Sequence, residues 1–137
     1  MSAEWHEGGV ERKFVISVGV GTYRDETIED LPQAVPDAAR VRRLLTPMGY
    51  VPAVPEVSAD PTVEALRRGI DRWAVTADLG PRDVVIVYFA GHGAKAPDRH
   101  YLLCADTEPG LWSSALASED LCRPLMYSPL GHLLVIV

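Results

Sequence analysis

The stretch Asp83-Val84-Val85-Ile86-Val87-Tyr88-Phe89-Ala90-Gly91-His92-Gly93 decides how the rest of the chain is read. Its unbroken apolar run, rich in β-branched residues, predicts a strand buried on both faces, as in parallel sheets. The run ends on two glycines flanking a histidine. In open α/β sheets, ligands bind outside the carboxyl ends of the strands. The glycines allow a sharp turn and leave the imidazole and nearby N–H groups open to a substrate. Histidine is also the side chain best suited to proton transfer near neutral pH. His92 is therefore the candidate catalytic residue, and a surface histidine without a role is the competing reading.

Lys13 to Val20 reads as a second buried strand, ended by Gly19 and Gly21. Tyr23 to Pro36 reads as a polar loop. Ala34, Ala38, Val41, Leu45 and Met48 recur at helical spacing, closed by Pro47 and Gly49. Tyr50 to Val57 is a weaker strand, and Pro52 and Pro55 put it near an edge. Asp60-Pro61 predicts an N-cap and a first helical residue. Val63, Leu66, Ile70, Trp73, Ala74 and Ala77 then line one helix face, stopped by Gly80-Pro81.

Beyond His92, a polar loop over 94–99 leads to a short strand from His100 to Cys104, and 106–114 reads as loop. Ser118 to Leu121 opens a third helix, broken by Pro124 and Pro129. Leu133 to Val137 reads as a final buried strand. Buried strands alternating with helices predict an α/β fold, a three-layer α/β/α sandwich with a mainly parallel sheet. Residues 1–12, including Trp5 and His6, are expected to form a flexible N-terminal segment ahead of a domain over 13–137.

Composition narrows the function classes. With 47% hydrophobic and 23% charged residues, the chain is neither disordered nor fibrous. Nineteen acidic residues against 13 basic ones give a formal charge of −6, which argues against nucleic acid as the main partner. No apolar run approaches the roughly 18 residues that span a bilayer, so no membrane partner is expected. The polar start has no signal-peptide h-region. Cys104 and Cys122 make no disulfide framework. These features predict a cytoplasmic location. The sequence stops on the apolar run Leu133 to Val137, where natural domains rarely end.

Val85 to Gly93 resembles the histidine motif of the caspase-like cysteine peptidases, which include caspases, metacaspases and bacterial relatives. The metacaspase branch commonly reads Y-F-S-G-H-G where this chain reads Y-F-A-G-H-G. The likeness runs from about Lys13 to the last residue. It includes the first strand, the Asp37-Ala38 pair opening the first helix, the L-x-x-x-G-Y ending from Leu45 to Tyr50, and the strand after the histidine loop. The resemblance implies a cysteine endopeptidase acting on protein or peptide substrates by Cys-His acyl transfer, with His92 as base and then acid. It implies the Gly93 N–H as an oxyanion donor. It gives Asp37 and Ala90 as substrate-pocket positions, with a basic residue favoured over Asp. It admits a calcium dependence without assigning a site, and no other cofactor.

In that family the cysteine follows the next core strand, in a D-x-C context. A spacing of about 50 residues after His92 falls near position 142, beyond Val137. The chain is therefore expected to supply only the histidine half, to be inactive alone and incomplete at the C-terminus, with an exposed apolar sheet edge and further domains C-terminal to it. Cys104 and Cys122 sit beside leucines and read as structural, because free cysteine is among the most buried residue types. A metal site from His92, His100 and Cys104 matches no zinc spacing. A catalytically dead caspase-like binding or assembly module is the alternative. A nucleotide-binding domain is weaker still, since Gly19-Val20-Gly21 does not make a phosphate loop.

Overall fold

A computed structural model describes residues 11–137; residues 1–10, with Trp5 and His6, lie outside the described residues. Four parallel strands form the main sheet: β1 (Lys13–Gly19), β2 (Tyr50–Pro52), β3 (Val84–Ala90) and β7 (His132–Ile136), in the order β2-β1-β3-β7. Helix α1 (Ala34–Leu45) connects β1 to β2, and α2 (Val63–Thr76) connects β2 to β3. Between β3 and β7 lie a small antiparallel sheet, β4 (Gly93–Lys95), β5 (His100–Leu102) and β6 (Leu116–Ala117), and helix α3 (Ser118–Met126). This is the expected α/β fold with a mainly parallel sheet.

The period-two alternation of the strands assigns the layers. Ile16 and Val18 of β1 and Val85, Val87 and Phe89 of β3 join Leu66 and Ile70 of α2 and Leu121 and Leu125 of α3 in one core. Phe14 meets Trp73 edge to face on the same side, 5.1 Å between centroids. The other face carries α1, where the Ser17 hydroxyl donates to the Ala38 carbonyl. The α1 helix covers β1 and β3. On β7, Leu133 and Val135 pack against the core, while Leu134 and Ile136 are 52% and 42% exposed. The expected fully buried last strand is thus a half-covered edge strand.

Several local expectations are corrected. The capping residue of α2 is Thr62, whose hydroxyl accepts the Ala65 N–H at 3.1 Å, and not Asp60. Asp60 has a left-handed backbone, with φ 48°. Helix α1 starts at Ala34, because Pro36 in a first turn has no N–H to lose there. Pro124 does not break α3, which runs through it to Met126. The 94–99 loop is instead the β4–β5 hairpin. At the foot of the sheet, Arg12, at the end of the expected flexible segment, is tied to buried Asp83 by a 2.6 Å ion pair.

Candidate active site

Strands β1 and β3 are neighbours in parallel register, Gly19 opposite Ala90, so both deliver their carboxyl ends to one edge. The Val20 N–H donates to the Ala90 carbonyl at 2.8 Å. From there residues 20–31 form a hoop beside the His92 turn. Asp60 Oδ1 accepts the N–H groups of Gly21 and Thr22 at 2.8 and 3.0 Å. Leu31 N–H closes onto the Gly21 carbonyl at 2.8 Å, and Asp30 accepts the Tyr23 N–H at 3.2 Å. Asp25 accepts the Thr27 N–H within the hoop. Backbone groups that would otherwise be unpaired are thereby satisfied, and the hoop has a defined shape.

The hoop grips His92 at two points. The His92 N–H donates to the Tyr23 hydroxyl at 2.9 Å, and that hydroxyl donates to the Val20 carbonyl at 3.0 Å. The His92 Nε2 lies 2.7 Å from the Glu29 backbone carbonyl. A carbonyl only accepts, so Nε2 carries the proton and, in the neutral ring, Nδ1 keeps its lone pair. The half-buried imidazole is thereby left, in its neutral form, with Nδ1 as the nitrogen able to accept a proton. The Tyr23 ring lies 5.3 Å from the imidazole. Burial raises the Tyr23 pKa more than the His92 N–H lowers it, so the hydroxyl stays protonated at neutral pH.

The glycines on either side have separate reasons. A Cβ on Gly91 would lie 3.0 Å from the Phe89 ring and 3.2 Å from the Tyr23 hydroxyl. A Cβ on Gly93 would fall 2.6 Å from Nε2 of His100, whose Nδ1 is held by Ser118. Leu103 N–H donates to the His92 carbonyl and Ala96 N–H to the Arg99 carbonyl, which fixes the hydrogen-bonded pairs of the hairpin. Gly93, opposite Leu102, falls between them on an edge strand, so its N–H points away from β5.

His92, Gly93 and Ala90 are therefore contiguous at one sheet edge. The first turn of α1 is seated on Gly19, the strand partner of Ala90, with the Ala34 carbonyl and Val35 backbone where a Cβ would go. Asp37 lies in that first turn, half-exposed, and pairs with Arg40 at 3.1 Å. The cysteines are elsewhere in character. Cys104 is fully buried, its thiol pushed up to about 12, first by burial and further by Asp106 against a smaller opposing effect of Arg67. Burial also raises the Cys122 thiol, on α3. Neither is a ready thiolate. Among the described residues, no three His, Cys, Asp or Glu side chains converge in a metal-holding group, so His92, His100 and Cys104 do not form one. A groove between α2 and α3, lined by Arg67, Asp71, Asp120, Arg123, Pro124 and Tyr127, contains neither His92 nor Gly93.

Sequence reasoning missed Tyr23, the Glu29 carbonyl and Asp60. A backbone carbonyl has no residue signature. Asp60 had one, its place before Pro61, but that pattern equally suits a cap.

A parallel sheet that presents a hydrogen-bonded histidine on a glycine-flanked turn at its carboxyl edge defines an α/β protein with a candidate proton-transfer site. The family model described as the caspase domain matches residues 12–137, and the chain belongs to that family of cysteine-type peptidases. A comparison with curated proteins found no significant match. Among solved structures, a protein from Geobacter sulfurreducens is similar in fold, with a TM-score of 0.64 at 16% identity over 90% of this chain. The chain spans 48% of that protein, about half its length.

Proposed function

We propose that residues 13–137 supply the histidine half of a metacaspase-like cysteine endopeptidase. The observation that carries this reading is the 2.7 Å contact from His92 Nε2 to the Glu29 carbonyl, which leaves Nδ1 as the base. On this reading a cysteine thiol gives its proton to Nδ1, and the thiolate attacks the scissile carbonyl carbon. The Gly93 N–H stabilises the resulting oxyanion. Collapse breaks the C–N bond, the protonated imidazole passes its proton to the leaving amine, and water later hydrolyses the thioester. The thiol is supplied by polypeptide other than these residues, a reading supported by the raised pKa values of Cys104 and Cys122. The chain alone is inactive.

A basic residue is the preferred substrate side chain. Asp37 at the head of α1, and Asp25, Glu26, Glu29 and Asp30 in the hoop, favour a cation at this edge. The exposed Asp37–Arg40 pair is of the kind worth about 1 kcal/mol or less, so a substrate guanidinium can displace Arg40. Free cysteines suit a reducing compartment such as the cytoplasm, and no described helix is long and apolar enough to cross a membrane.

The alternative, a caspase-like module used for binding or assembly, is favoured by the same high thiol pKa values. The codons after Val137 separate the two. A D-x-C sequence there supports the peptidase, and a stop codon supports the non-enzymatic module.

A further inference from the structure

We propose that Tyr23 is the positioning residue of His92: its hydroxyl, bridging the His92 N–H and the Val20 carbonyl, sets the turn so that Nε2 meets Glu29 and Nδ1 is left free. The role of His92 as a base rests on the reading above; the placement of its ring by Tyr23 does not.

The His92 N–H lies just past the end of β3 and finds its acceptor in a side chain contributed by the hoop. Tyr23 is 6% exposed, so the hydroxyl is sheltered from competing water. Its ring packs on the imidazole, and its O–H ties the turn to Val20, the residue just past the end of β1. The residue is itself fixed through Asp30 at its N–H and through Asp60 at the two residues before it. Gly91 leaves room for this approach, since a side chain there would press on the hydroxyl. One hoop thus holds both the backbone and the ring of His92. If the backbone contact is lost, the ring turns away from the Glu29 carbonyl and the tautomer is no longer fixed.

The test is nitrogen NMR of the 137-residue chain with 15N-labelled histidine, the His92 signals being assigned by their absence in His92→Ala. Tyr23→Phe keeps the ring and the core volume and removes only the hydroxyl. The ratio of Nε2–H to Nδ1–H tautomer is expected to fall about fivefold, the equivalent of one ordinary hydrogen bond. Glu29→Ala keeps the backbone carbonyl and is expected to retain the parent ratio. A folded Tyr23→Phe with the parent ratio overturns the proposal, because a role in packing alone would leave the ratio untouched. Should Tyr23→Phe not fold, hydrogen exchange in the parent decides. A protected His92 amide supports the bridge, and exchange at the rate of an open loop overturns it. None of these readouts needs peptidase activity, so a failure to cleave peptides counts against the peptidase reading alone.

Discussion

Replacing Asp83 by Asn tests the clasp that holds the foot of the sheet. Asp83 is 4% exposed. Its Oδ1 accepts the Arg12 N–H at 3.0 Å and Arg12 Nε at 3.3 Å, and its Oδ2 accepts Arg12 Nη2 at 2.6 Å and the Gly80 N–H at 2.9 Å. Arg12 continues to the Ala77 and Asp78 carbonyls at 3.1 and 2.6 Å. The start of β1 is thereby fastened to the turn between α2 and β3. Asparagine keeps one acceptor but sets an amide N–H₂ against donors and leaves the guanidinium without its counter-charge. Losing one partner of a fully buried pair costs about 3–5 kcal/mol. The Arg12 side chain is 41% exposed, so water recovers part of that loss, and about 2–3 kcal/mol is expected. This corresponds to a fall in Tm of roughly 10 °C.

The same variant has a pH signature. Burial alone would raise the Asp83 pKa, but the Arg12 side chain and the Gly80 and Arg12 N–H groups outweigh it and hold the carboxyl below its ordinary value. A depressed folded pKa gives stability that is fully present above the unfolded value of about 3.9. It is lost as pH falls through the folded pKa. Urea unfolding of parent and Asp83→Asn should therefore differ most at neutral pH and converge in strong acid. An equal gap at pH 7 and pH 2.5, or no gap at pH 7, refutes the reasoning.

Other outcomes follow from the site. Gly91→Ala should destabilise by about 1–3 kcal/mol through overpacking against Phe89 and Tyr23, read as a lower urea midpoint with an unchanged slope. Asp60→Asn keeps an acceptor for Gly21 and Thr22 and tolerates the left-handed backbone, so it should cost well under the roughly 2 kcal/mol expected of Asp60→Ala. Calorimetry of the pair checks the order. Cys104, with its thiol near 12, should resist iodoacetamide at pH 8 in the folded chain and react once the chain is unfolded in urea. Peptide mass mapping after alkylation reads both.

The layers of the fold were legible because they depend on runs of residues. The 84–90 run and the α2 stripe from Val63 to Ile70 announce their own burial. What escaped is short or shared between distant segments. Strands β4 and β6 hold too few residues for a period to register, and they exist because the hairpin partner supplies their bonds. Thr62 and Asp60 are both capping residues by type, and only the location of Gly21 and Thr22 nearby decides which one caps. Leu134 and Ile136 look as buried in sequence as Leu133, because burial there depends on how far α1 reaches across the sheet. At the site, Gly91-His92-Gly93 was readable as a glycine-flanked turn at a strand end, while the Tyr23 hydroxyl and Glu29 carbonyl that contact His92 come from a loop more than 60 residues earlier.

The most direct measurement is peptide cleavage by the full-length protein, compared with its His92→Ala variant, on peptides ending in Arg, Lys or Asp. Cleavage after Arg or Lys that falls at least about a hundredfold in His92→Ala is the predicted result. An equal rate in the two proteins contradicts the account.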